Sequence, residues 1–116
     1  MSSFIQQPIA ENEYGQLVER VSDSSGFKKS PRIRDFLLYV CENALKNNLQ
    51  DVREQQIGVR VFNRRPDYNM SEDSIVRVEA RELRKRLAAY FAGEGKDESV
   101  VIEIPKGGYV PVFFGP

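Results

Sequence analysis

The sequence contains no histidine and a single cysteine, Cys41. Those two shortages exclude zinc sets built on His and Cys, Cys–His nucleophile pairs, Ser–His triads and any internal disulfide. Carboxylates, Lys, Arg and Tyr remain, but without those sets the chain reads as a non-enzyme that needs no metal and no cofactor. An excess charge of one sign is also missing, because 17 Lys and Arg balance 17 Asp and Glu. Affinity for a polyanion must therefore come from where the charges lie. Nowhere do eighteen apolar residues follow one another, and Met1 to Gly15 hold neither a basic n-region nor an apolar run of signal-peptide length. The expectation is a cytoplasmic chain that does not enter a membrane. The sequon Asn69-Met70-Ser71 is then a coincidence, since its chemistry requires a secretory route. Cys41, set among apolar neighbours, is expected to be a small core residue.

What is present is 116 residues, 41% of them hydrophobic. A chain of that size forms one domain and buries roughly two thirds of its unfolded surface without staples. Residues 1–10 are polar apart from Phe4, Ile5 and Ile9, with Pro8 interrupting, and read as a loosely held arm ahead of a single domain over 11–116. From Glu11, the apolar residues Tyr14, Leu17, Val18 and Val21 recur at helical spacing, and Ser22 to Gly26 read as a loop.

Ser30 followed by Pro31 predicts a helix start, with a cap acceptor and then proline at a position whose N–H is not needed. Ile33, Phe36, Leu37, Val40, Cys41, Ala44 and Leu45 continue that stripe until Asn47-Asn48. Ile57, Val61 and Phe62 predict a short helix from about Arg53 to Asn63, followed by the loop Arg64 to Met70. Ser71, with Glu72 and Asp73 in the first turn, is expected to cap a long helix over about 71–92, closed by Gly93 and Gly95. The segment Gly93-Glu94-Gly95-Lys96 ends a helix instead of opening one, so it is a C-cap and not a phosphate loop. The β-branched run Val100 to Ile104, the turn Pro105-Lys106-Gly107-Gly108 and the run Tyr109 to Phe114 predict a hairpin over about 99–114. Pro111 assigns its strand to an edge or a bulge.

The long helix carries the functional signal. At about 100° per residue, Val76, Ala80, Leu83, Leu87, Tyr90 and Phe91 share one sector, which is the expected buried face. The adjoining sector holds Arg77, Arg81, Arg84 and Lys85 with no acid among them, while Glu79, Glu82 and Arg86 fall on the opposite flank. Arg77, Arg81 and Lys85 are successive i, i+4 neighbours of like sign, each pair costing roughly 0.2–0.5 kcal/mol where opposite signs would gain as much. An anionic partner relieves that cost. A solvated face, with Asp73 relieving Arg77 and Glu82 relieving Arg86, is the competing explanation. The order of elements decides between them: a core helix, a short helix, a turn, a longer helix with a basic face and a hairpin. That is the order of a mainly α, α+β winged helix-turn-helix, whose longer helix enters the major groove. Lys106 at the hairpin tip, within the wing 105–108, then falls near a phosphate or a minor groove.

The runs Asp73-Ser-Ile-Val-Arg-Val-Glu-Ala-Arg-Glu-Leu-Arg-Lys-Arg-Leu87 and Ile104-Pro-Lys-Gly-Gly-Tyr-Val-Pro-Val-Phe113 resemble a bacterial winged-helix module found ahead of tetratricopeptide, TolB-like or adenylate-cyclase-like domains. Ser30-Pro31-Arg32 before Phe36-Leu37, and Ile57-Gly58 before Val61-Phe62, are similar to it as well, so the likeness spans roughly residues 16 to 114. A more distant similarity joins the long helix and Lys106-Gly107-Gly108-Tyr109 to the effector domains of OmpR-type response regulators. Residues 1 to 25 lack the small sheet that opens those domains, and Arg77 and Glu79 depart from the types usual at their DNA-facing positions. The resemblance implies a DNA-binding transcriptional regulator. It also makes the loop Arg64 to Met70 equivalent to a segment that contacts RNA polymerase, with an ordinary polar turn as the alternative.

The expected DNA-binding set is therefore Arg77, Arg81, Arg84, Lys85 and Lys106, with Arg64 and Arg65 from the loop added. Double-stranded DNA is the expected partner, and a homodimer or a further domain would supply affinity that a chain of pI about 6.3 lacks. The alternative is a winged-helix protein–protein interaction module of a larger signalling protein, in which the basic sector meets a partner's acids. An enzyme ranks last, because Glu72, Asp73, Asp97 and Glu98 are explained as cap and loop residues.

Overall fold

Among the described residues, four helices precede one short hairpin: α1 (Ser3–Ser22), α2 (Pro31–Leu45), α3 (Glu54–Phe62), α4 (Ile75–Ala92), β1 (Val101–Glu103) and β2 (Val112–Phe114), with a 3-10 turn over Leu49–Val52. This is a computed structural model, which describes the backbone of residues 3–115 and the side chains of residues 13–115. The architecture is mainly helical with a two-stranded antiparallel sheet, an α+β arrangement. Among the described residues no helix is long and apolar enough to cross a membrane.

α2 is the centre of the packing. Its Ile33, Phe36, Leu37, Val40 and Cys41 are all buried, and it lies against α1, α3 and α4. Phe36 meets Phe62 of α3 edge to face at 5.3 Å between ring centres. α4 contributes Val76, Ala80, Leu83, Leu87 and Tyr90 to the same core, and β1 closes it with Ile102. The sector assigned from helical spacing to the inside of α4 is thus its inside. Cys41 is fully buried, and burial pushes its thiol up to about 12, so it remains a neutral packing group.

The helix limits differ from the sequence expectation in physically traceable ways. α1 begins at Ser3, so the backbone is helical within the stretch read as an arm, whose side chains lie outside the described ones. Ser30 sits at the N-cap of α2 but makes no capping hydrogen bond. Its hydroxyl accepts from Arg86 Nη1 instead. α4 starts at Ile75 and not at Ser71, because Asn69 Oδ1 takes both the Ser71 N–H at 3.0 Å and the Ser71 hydroxyl at 2.6 Å in a tight turn. Asp73 then caps the helix by accepting from the Ile75 N–H at 3.1 Å. α3 ends as expected at Asn63, which adopts a left-handed backbone with φ 58°.

The hairpin is shorter than its sequence suggests. Val101 pairs with Phe114, Ile102 with Phe113 and Glu103 with Val112, leaving residues 104–111 as a long loop. Tyr109 and Val110, expected in the second strand, belong to that loop, where Pro111 is buried and offers no N–H to a ladder. Gly107 has φ 96°, a conformation that side chains with a Cβ adopt only under strain.

Candidate nucleic-acid interface

A groove of about 850 Å³ runs between α4 and the loop 104–111. Its walls include Arg77, Arg81, Arg84, Lys85 and Lys106, and the single acid lining it among the described residues is Glu54. Helical spacing puts the first four on one side of α4, and the hairpin carries Lys106 across to face them. Five cations and one carboxylate therefore share one concave surface on a chain with no net charge.

The five are not equivalent. Arg84 is committed to the hairpin, donating from Nε to the Ile104 carbonyl at 2.8 Å and from Nη2 to the Gly108 carbonyl at 2.8 Å. Arg77 donates from Nη1 to Glu54 and from Nη2 to the Met70 carbonyl at 2.8 Å. Glu54 also accepts from the Tyr109 hydroxyl at 3.2 Å, so one carboxylate joins α3, α4 and the hairpin loop. Burial, reinforced by this carboxylate, pushes the Tyr109 phenol up to about 12 and keeps it a hydrogen-bond donor. Arg81, Lys85 and Lys106 are exposed, and among the described residues they form no ion pair.

The two loop arginines lie apart from this groove. Arg64 turns inward, where Nε donates to Asp73 Oδ2 at 2.7 Å and Nη1 to the Phe62 carbonyl at 3.0 Å. The Arg64 hydrogen bond holds the Asp73 carboxyl below the usual carboxylate range, and the Ile75 N–H acts in the same direction. Arg65 faces solvent with 87% of its side chain exposed, within 3.6 Å of Asp67. The rest of this loop is tethered: the Tyr68 hydroxyl donates to the Glu54 carbonyl at 3.2 Å, and Gln55 donates to the Pro66 carbonyl. Gly58 is buried in α3 against the Tyr68 ring, where any Cβ would collide with it.

Sequence reasoning missed Glu54 and Tyr109. Glu54 reads as an ordinary first-turn acid of α3, and its partners Arg77 and Tyr109 lie 23 and 55 residues away. Among the described residues no three His, Cys, Asp or Glu side chains gather as a metal set. No known protein family, no curated protein and no solved structure matches the chain.

Proposed function

We propose that the chain is a winged helix-turn-helix module that binds double-stranded DNA in the cytoplasm of a bacterium and regulates transcription. α4 acts as the recognition helix in the major groove, and the loop 104–111 acts as the wing on the adjacent backbone. The observation that carries this reading is the groove itself. Arg81, Lys85 and Lys106 present free positive charge from two elements at once, while the acids of α4, Glu79 and Glu82, lie on its far flank. A solvated helix face requires no second element to bring a cation opposite it.

Within this reading the committed arginines also have a place. Arg84 fixes the wing to the recognition helix, and Arg77 fixes the start of that helix to α3, so the free cations are held at a set separation. Preorganisation of this kind reduces the ordering cost of binding. The test is a titration of the whole chain against duplex DNA at two salt concentrations. Affinity that falls with salt, and falls further on Lys85→Ala, supports the reading.

A second reading, a protein–protein interaction module, is favoured by a different surface. Val110, Val112 and Phe114 of the hairpin are 39%, 42% and 47% exposed, and Phe114 lines a largely apolar cleft of about 460 Å³ between α4 and β1. That cleft, which Lys106 borders together with Leu87, Phe91 and Ile104, suits a second protein, either another copy or a neighbouring domain. It is compatible with DNA binding as well as with its absence.

A further inference from the structure

The outermost line of α4 is not uniformly basic. Ser74, Val78, Arg81 and Lys85 follow one another at intervals of four, three and four residues, which places them on one solvent-facing crest. Val78, between Arg81 on one side and Glu82 on the other, is 46% exposed, and the core has no use for it at that azimuth. Ser74 stands at the N-cap position yet its hydroxyl makes no capping bond, since Asp73 performs that role. An exposed branched apolar residue on a polyanion-binding crest contributes nothing to phosphate contact. It has a partner in the major groove, where thymine alone presents a methyl group.

Arg81 stands out on separate grounds. Of the three arginines on the basic side, Arg77 is held by Glu54 and Met70 and Arg84 by the hairpin carbonyls, which leaves Arg81 as the fork that is free among the described residues. A free guanidinium can bond both O6 and N7 of guanine, while a lysine acts as a point charge. Val78 and Arg81 are the fourth and seventh residues of α4, in its leading half, the part of a recognition helix that meets base edges. They are separated by about 4.5 Å along the axis. Neighbouring base pairs stack at about 3.4 Å, so the two side chains fall on adjacent pairs.

Resting on the DNA-binding reading, we infer that Val78 and Arg81 are the specificity-determining pair, reading a T·A pair through its C5-methyl group and an adjacent G·C pair through guanine O6 and N7. Lys85 and Lys106 hold phosphates on either side and carry no sequence information.

The test begins with selection of 20-base-pair duplexes from a random library by the whole chain at about 50 mM salt. The selected site is then resynthesised with deoxyuridine for thymine, which deletes only the methyl group, or 7-deazaguanine for guanine, which deletes the N7 acceptor. The enriched site should contain adjacent T·A and G·C pairs. Deoxyuridine should weaken binding about three-fold or more, and 7-deazaguanine about five-fold or more. Val78→Ala should abolish the response to deoxyuridine but keep that to 7-deazaguanine, and Arg81→Ala should do the reverse. Val78 is exposed, so its variant tests contact and not folding. Binding that is salt-dependent but indifferent to both base analogues overturns this inference and leaves the DNA-binding reading standing. Absence of binding to any duplex overturns both.

Discussion

Arg84 Nη2 donates to the carbonyl oxygen of Gly108 at 2.8 Å, so a cation of the α4 basic face holds the tip of the hairpin from below. Its Nε does the same for Ile104 at 2.8 Å, and these carbonyls have no strand partner, since pairing stops at Glu103. The loop thereby acquires a fixed position that its own three-residue strands cannot supply. Hydrogen bonds to a charged donor contribute about 1.5–3 kcal/mol. Arg84→Ala should destabilise the chain by roughly that amount. Amide exchange over residues 102–110 should rise more than in α2, which hydrogen-exchange measurement on both segments checks.

The core prediction follows from full burial. Leu37 and Leu83 are both 0% exposed and belong to one cluster with Phe36, Val76 and Ile102. Leu37→Ala or Leu83→Ala should each cost about 2–5 kcal/mol through lost transfer energy and the cavity left behind. An unchanged denaturation midpoint in either variant would contradict the packing.

At the hairpin tip the two glycines should behave differently. Gly107 has φ 96°, whereas Gly108 has no positive φ, and nothing lies within 4 Å of where either Cβ would sit. Gly107→Ala should therefore cost about 1 kcal/mol of backbone strain, with Gly108→Ala near neutral. Paired thermal melts of the two variants distinguish this from a steric cause, which would affect neither.

The acid limb of stability should be traceable to Glu98. Its carboxylate accepts from Arg20 Nε at 2.9 Å, from Arg20 Nη2 at 2.8 Å and from the Tyr90 hydroxyl at 2.8 Å, joining α1 to α4 through the loop before β1. The Arg20 hydrogen bonds hold the Glu98 carboxyl below its ordinary value, with Tyr90 adding to the effect. A carboxyl whose folded pKa is depressed contributes stability that is complete above its unfolded pKa of about 4.3 and is lost as pH falls through the folded one. Asp73, depressed by Arg64, works in the same direction. Urea midpoints measured from pH 7 to pH 3 should fall at the acid end for the parent chain. Glu98→Gln should start lower by roughly 1–3 kcal/mol and lose less on acidification.

The helices and the hairpin were legible in the sequence wherever apolar spacing and a stop signal agreed. Val76, Ala80, Leu83 and Leu87 mark the inner face of α4, Asn63 marks the end of α3, and Gly107 marks the turn. The start of α4 was not legible, because Ser71 has the composition of a cap while Asn69, two residues earlier, occupies its N–H and its hydroxyl. The basic face was legible as a set of charges but not as a set of free charges. The carboxylate that holds Arg77 lies 23 residues away and the carbonyls that hold Arg84 lie 20 or more away, a distance at which helical periodicity carries no information. The 3-10 turn Leu49–Val52 has no periodic signature of its own, being four residues long.

The most direct measurement of the DNA-binding account is the salt dependence of affinity for a mixed-sequence 20-base-pair duplex, read by fluorescence anisotropy from about 50 to 200 mM salt. It is made on the chain as it stands and on a fusion that dimerises it. With two to three phosphates neutralised per chain, log K should fall against log salt with a slope of about −2 to −3. Lys85→Ala and Lys106→Ala should each flatten that slope by about one, while Glu82→Ala on the far flank leaves it unchanged. Binding undetectable at about 50 mM salt in both forms, or a slope that neither lysine variant alters, would contradict the account.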